Sequence, residues 1–276
     1  NKYLVTNKID NYAILSSHAV IIDVWNLSDT SIAQFALLEP EQAVEKPRRR
    51  NPGRVRSANF SHNGKLIVTA SDDGISNIWN SQGKLQAVLR GHKCCVYDAN
   101  FSPDDKLIVT ASSDETARLW DISGKFLVEL RGHNCCVNTA RFSPDGKRIV
   151  TTSDDQTIRV WDTKGKQLLM ITGHEGGVKS ANFSPDGKLI VSASDDSTAR
   201  IWDLSGKQLL ELRSDEKYIR DANFSPDGKL IVTASGDKTA HIWDLSGKQI
   251  ALLKGHDKYL NSAKFSPNGK LIVTAS

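Results

Sequence analysis

Apolar residues occur in short runs, and each run is followed by a polar stretch rich in Ser, Asp, Gly and Pro. In residues 173–212, GHEGGVKSANFSPDGKLIVSASDDSTARIWDLSGKQLLEL, the segments VKSANF, KLIVSAS, TARIWDL and QLLEL read as four strands. The separators SPDG, DDS and SGK supply turn chemistry. No run is long enough to form a useful amphipathic helix. The same pattern returns at a fixed interval: tryptophans stand at 79, 120, 161, 202 and 243, each 41 residues from the next. One unit is therefore a four-stranded antiparallel meander. Such a sheet cannot bury both faces alone, so neighbouring units must stack, and a ring of stacked sheets leaves no bare end. The expected fold is all-β, a β-propeller.

The residues that punctuate the repeat point to a family. GH recurs at 91, 132, 173 and 255, and WD at 120, 161, 202 and 243. Over nearly its whole length the chain resembles the WD-repeat β-propeller family, with WN replacing WD at Trp25 and Trp79. The register predicts one seven-bladed propeller over residues 1–276. Blade one lies at about 2–40, an inserted loop EQAVEKPRRRNPG at 41–53, blades two to six at about 54–255, and a partial blade seven at 256–276. Blades two to six begin near Arg54, Cys95, Cys136, Gly177 and Tyr218. Blade seven has two strands here, so its remaining strands are expected beyond Ser276, before Asn1 or from a partner chain. The wording FSPDGKLIVTASDD is similar to the long arrays of bacterial multidomain signalling proteins, which implies a sensor segment of a longer polypeptide.

The resemblance also assigns roles within a blade. It implies a buried relay from the tryptophan indole to a Ser or Thr hydroxyl, to the GH histidine, to an Asp. The donor and acceptor capacities of those groups suit that order. The relays would be Trp120, Thr110, His92 and Asp114; Trp161, Thr151, His133 and Asp155; and Trp202, Ser192, His174 and Asp196. Blade six keeps Trp243, Thr233 and Asp237 but has Asp215 where histidine is expected, and blade two has Asn51 there. In blade one, Leu15 and Ala19 take the hydroxyl and carboxylate positions beside Trp25.

Composition narrows the function. Thirty-six basic and 32 acidic residues give a formal net charge of +4, too small over 276 residues to imply nucleic acid or membrane by itself. There is no apolar run approaching ~18 residues and no signal-peptide order at the N-terminus, so a cytoplasmic, non-membrane protein is expected. The four cysteines lie in two copies of one motif, GHKCCV and GHNCCV. His92, Cys94, Cys95, His133, Cys135 and Cys136 are zinc ligand types, but the relays engage both histidines. Adjacent cysteines on an extended strand also face opposite ways, which suits tetrahedral zinc poorly. No metal and no cofactor are expected. HEGGV at His174 lacks the second histidine of a zinc-protease motif, and no phosphate-binding, dinucleotide or serine-esterase motif occurs. The NFS triplets at Asn59, Asn100, Asn182 and Asn223 repeat one strand position and read as structural.

Function should then lie where residues vary against a constant frame. In the family, the position after the GH loop faces the channel mouth on the narrow face. Here it reads Arg56, Tyr97, Asn138, Lys179, Arg220 and Asn261. Arg54, Tyr218 and Tyr259 come from the position two residues earlier, and Asp72, Asp154 and Asp195 from the position before each relay Asp. Arginine, tyrosine and carboxylate around one opening suit recognition. The expected function is a non-catalytic scaffold or sensor that binds protein or peptide across the narrow face. The alternative is a nucleic-acid or phosphate binder using the basic 46–56 segment, with Arg48, Arg49 and Arg50. A metal-dependent enzyme at the cysteine blades has less support.

Overall fold

The computed structural model describes residues 53–213 and 217–276, and within 1–52 the backbone of four strands. Every element among the described residues is a strand, and no helix is long and apolar enough to cross a membrane. Six sheets have four antiparallel strands in meander order, and a seventh has two. Blade one comprises Tyr3–Thr6, Tyr12–Ser16, Ile21–Asn26 and Ile32–Ala36; blade two comprises Val55–Phe60, Leu66–Ser71, Ile75–Asn80 and Leu85–Arg90. Ser262–Phe265 pairs with Ile272–Ala275 to give the incomplete blade seven. Its first strand packs on blade six and its second lies against Tyr3–Thr6, so the seven sheets close a ring.

The burial of each strand explains its sequence. The second strand, LIVTAS in blades two, three and six, is buried along almost its whole length, which suits an unbroken apolar run between two neighbouring blades. The outermost strand is exposed at alternate positions, as in QLLELR of blade five. Apolar clusters straddle the joints: Val68, Ile78 and Leu89 of blade two pack with Val96, Phe101, Ile108 and Trp120 of blade three. Each such side chain contributes about 1.5–3 kcal/mol on full burial, so the core lies between sheets and no blade is stable without a neighbour.

The innermost strands are also clipped together by side-chain amides. Asn59 Nδ2 donates to the Ala99 carbonyl at 2.9 Å, Asn100 to Ala140 at 3.0 Å, Asn182 to Ala222 at 2.8 Å and Asn223 to Ala263 at 2.9 Å. Each bond spans from one blade to the next. The repeated NFS asparagine therefore satisfies a backbone carbonyl on the innermost strand of the next blade.

Candidate functional site: the channel mouth

The geometry of the mouth begins with a break in the ladder. At the start of each first strand in blades two to six the register shifts by one residue, between Val55 and Ser57 in blade two and at the equivalent place in the others. The residue left unpaired is Arg56, Tyr97, Asn138, Lys179 or Arg220 in turn. A bulge of this kind re-aims the side chain out of the sheet. These five residues, with Asn261 of blade seven, line one cavity of about 220 Å³. A second cavity, of about 480 Å³, shares Asn59, Arg141 and Lys264 with the first and continues toward the opposite face.

Around the mouth most charges are paired. Arg56 Nε donates to Asp72 Oδ1 at 2.6 Å, and its guanidinium lies 5.6 Å from the Tyr97 ring centre. Lys179 Nζ bridges Asp154 Oδ1 at 2.5 Å and Asp195 Oδ2 at 2.9 Å. Burial opposes its charge, but those two carboxylates outweigh it and hold the ammonium above the usual lysine range. Arg220 is the exception: its guanidinium stacks 4.5 Å from the Tyr218 ring centre, Tyr259 meets Tyr218 edge-on, and the buried Arg220 Nε has no hydrogen-bond partner among the described residues. Arg54 contributes its backbone carbonyl, which accepts from the Asp72 amide.

Deeper in the channel stand four charged residues that the sequence reading passed over: Asp98, Arg141, Asp221 and Lys264 line the same cavity. Arg141 Nε lies 3.6 Å from Asp98 Oδ2, beyond hydrogen-bond reach. Asp221 Oδ2 accepts from Ser262 at 2.7 Å, while its buried Oδ1 has no hydrogen-bond partner among the described residues. Burial, with the Arg141 charge beside it, pulls the Lys264 ammonium below its ordinary range, and Asp221 and Asp98 oppose that pull. Stepping by 41 residues was enough to find them. Asp98 and Asp221 replace the Ser of Ser57, Ser180 and Ser262, and Arg141 and Lys264 replace the clip asparagine.

The histidines lie behind the mouth. In blade three Trp120 Nε1 donates to Thr110 Oγ1 at 2.9 Å, Thr110 Oγ1 lies 2.7 Å from His92 Nε2, and His92 Nδ1 lies 2.9 Å from Asp114. Blade four repeats the path through Trp161, Thr151, His133 and Asp155 at 2.9, 2.8 and 2.8 Å. Blade five runs through Trp202, Ser192, His174 and Asp196 at 2.8, 2.7 and 2.7 Å. The GH glycine belongs to this packing: at Gly173, with φ of 141°, an added Cβ would stand 3.1 Å from the Trp202 ring. Burial alone would raise the Asp155 carboxyl, but bonds from His133, Thr157 and the Asn134 amide hold it well below the usual carboxylate range, and Asp114 and Asp196 behave alike.

In blade six the carboxylate has a substitute partner. His241, from the strand of Trp243, lies with Nε2 3.1 Å from Asp237 Oδ2 and stacks on the Trp243 ring, while Trp243 Nε1 donates to Thr233 at 3.0 Å. His241 occupies the strand position held by Arg118, Arg159 and Arg200 elsewhere, so 41-residue alignment with the GH histidines could not reveal it. In blade seven His256 Nε2 lies 2.8 Å from Thr274 Oγ1. Blade two keeps the Trp79 to Thr69 bond at 3.2 Å. Asn51, Asp215, the side chains of Leu15, Ala19 and Trp25, and the Arg48, Arg49 and Arg50 triplet lie outside the described residues.

One expectation about the cysteines is overturned. Cys135 and Cys136 precede the strand, which starts at Val137, so the alternation that would separate their thiols does not apply. The chain bends there instead, and the two Sγ atoms and an Asp154 carboxylate oxygen lie within 4.8 Å of one another.

Two family models match the chain from residue 26 onward. Residues 26–203 match the model described as IFT122 first beta-propeller, and residues 206–244 and 247–276 match the WD domain, G-beta repeat. Among curated proteins none matches the chain.

Proposed function

The chain belongs to the WD-repeat β-propeller family, and from that premise we propose that it is a non-catalytic interaction module that binds a protein or peptide segment at the narrow-face mouth. Propellers of this family generally serve as protein-interaction scaffolds. The observation that carries the reading is the row of bulged, non-repeating residues around one cavity, backed by buried polar atoms that lack partners. Arg220 Nε, Arg141 Nε and Asp221 Oδ1 all belong to residues lining that cavity. A peptide brings both donors and acceptors, so it can satisfy all three atoms. Tyr218, Tyr259 and Tyr97 add rigid aromatic area at the rim. Arg54, Asp72, Asp154 and Asp195 set the orientation of the groups between them.

A catalytic role finds little chemistry to use. His92, His133 and His174 have side chains only 1% exposed and are engaged at both ring nitrogens. The phosphate-binding alternative is weakened at Arg56, whose charge Asp72 already neutralises. A sensor role within a longer cytoplasmic polypeptide of bacterial type extends the same reading and rests on the wording of the repeat.

The test is selection of a displayed peptide library on the immobilised protein, followed by affinity measurement. Arg220→Ala and Arg56→Ala should each weaken a selected peptide by about tenfold or more, the scale of an interface hot spot. Their stability should shift by no more than ~0.5 kcal/mol. Selected peptides that bind both variants as tightly as the parent would remove the mouth from consideration.

A further inference from the structure

The cysteine pair of blade four has what a soft-metal site requires, and the second pair provides an internal comparison. We propose that Cys135, Cys136 and Asp154 form an exchangeable site for one thiophilic divalent cation of the zinc and cadmium class. Two thiolates and a carboxylate supply three protein ligands of the types such cations take, leaving a fourth position to water. The three ligand atoms already lie within 4.8 Å of one another, and no other cluster of this kind occurs among the described residues.

The surroundings hold the ligands in place and leave them accessible. The Asp154 amide donates to the Cys136 carbonyl at 3.1 Å, and Ser153 Oγ donates to the Cys135 carbonyl at 3.1 Å, which ties the bend to the turn bearing the carboxylate. Residue 177, the counterpart of Cys136 in the next blade, is glycine, and a Cβ there would come within 2.7 Å of Asp154 Oδ1. That glycine keeps room beside the carboxylate. Both hydrogen bonds made by the Asp154 carboxylate, from Lys179 and Asn138, fall on Oδ1. Lys179 also holds Asp195 at 2.9 Å, so Asp154 can turn to a cation without stranding the ammonium. All three ligand residues are half-buried, open to solvent and outside the strands.

Deprotonated, the three ligands carry three negative charges against the single ammonium of Lys179 at Asp154 Oδ1. Burial first, and then Cys135 and Asp154 beside it, push the Cys136 thiol above its ordinary range. A bound dication reverses that penalty, because it attracts all three groups at once. Binding breaks two S–H bonds; each sulfur keeps its electron pair and gives it to the metal, and two protons leave without any change in oxidation state. In blade three the residue at the place of Asp154 is Ser113, so the pair Cys94 and Cys95 lacks the third ligand from its own blade.

Cadmium chloride titrated into the reduced, metal-free chain tests this through the ultraviolet thiolate-to-cadmium band and the protons released into weak buffer. One tight equivalent is expected, with about two protons released per metal. It should survive the double change Cys94→Ser and Cys95→Ser, vanish with Cys135→Ser and Cys136→Ser, and weaken by about tenfold or more in Asp154→Asn. Thermal unfolding of each variant without metal verifies folding, and added cadmium should raise the melting temperature only where the blade-four thiols remain. Absence of binding, tight binding that follows Cys94 and Cys95, or indifference to Asp154→Asn would overturn the assignment. None of these three variants changes Arg220 or Arg56, and the cadmium readout needs no peptide, so these outcomes are separable from those of the peptide test.

Discussion

Asp155→Ala should destabilise the propeller by about 1–3 kcal/mol for the stranded His133 donor alone. The carboxylate closes more than one bond. Its Oδ2 accepts from His133 Nδ1 at 2.8 Å and from the Asn134 amide at 3.0 Å, and its Oδ1 accepts from the Thr157 amide and hydroxyl at 3.0 and 2.7 Å. Removing it unties the GH loop from the turn before the Trp161 strand, and the imidazole, 1% exposed, cannot turn to water. Urea unfolding should show a lower midpoint with an unchanged slope, because the surface exposed on unfolding is the same. Peptide binding at the mouth should persist in the cold. Asp237→Ala in blade six should cost less, since the Asp237 and His241 side chains are 25% and 10% exposed, against 8% and 1% for Asp155 and His133, so water can reach the donor left behind. Equal costs at the two positions, or lost binding with unchanged stability, would contradict the relay.

Acid should unfold the protein steeply for the same reason. Asp114, Asp155 and Asp196 are 5–8% exposed and are held below the ordinary carboxylate range, with histidine, threonine and amide donors outweighing burial. A carboxylate depressed in the folded state binds fewer protons there than in the unfolded chain. The stability it contributes is complete above the unfolded value of ~3.9 and is lost as pH falls toward the folded value. Each group adds about 1.4 kcal/mol per pH unit to that slope, so the three relays together add about 4. Exposed turn aspartates such as Asp203 and Asp244 are depressed as well, mainly by serine hydroxyls, so the decisive quantity is a difference between variants. Below pH 4, the stability of Asp155→Asn should fall less steeply than that of the parent by about 1.4 kcal/mol per pH unit. An identical slope would mean that the relay carboxylate already titrates normally.

The fold was legible because one unit repeats. Strand alternation, SPDG turns and a 41-residue tryptophan spacing each follow from local chemistry, and the requirement to bury LIVTAS on both faces makes the sheets stack. The six residues from Arg56 to Asn261 that line the cavity were legible as variable positions, although the feature that aims five of them, a bulge at the start of the first strand in blades two to six, leaves no mark in a period-two pattern. Asp98, Arg141, Asp221 and Lys264 were visible in the same register and were passed over because they sit in strand interiors that read as structural. His241 was hidden for a different reason: it reaches Asp237 from another strand, and only folding brings the two together. The cysteines misled because a strand was assumed one residue too early, and alternation fails in a bend.

The asparagine clips bear on how such an array can change length. Each donates to a main-chain carbonyl of the following blade, a group that every residue type presents, so the bond does not depend on which unit comes next. Duplicating or excising a whole 41-residue unit at those joints would re-form the same bond with the new neighbour. The joint between blades four and five differs, because Arg141 there donates to the side chain of Asn182 at 2.8 Å. A unit placed after blade four must bring an asparagine of its own, which makes that joint the one described clip where exchange of units is chemically conditional.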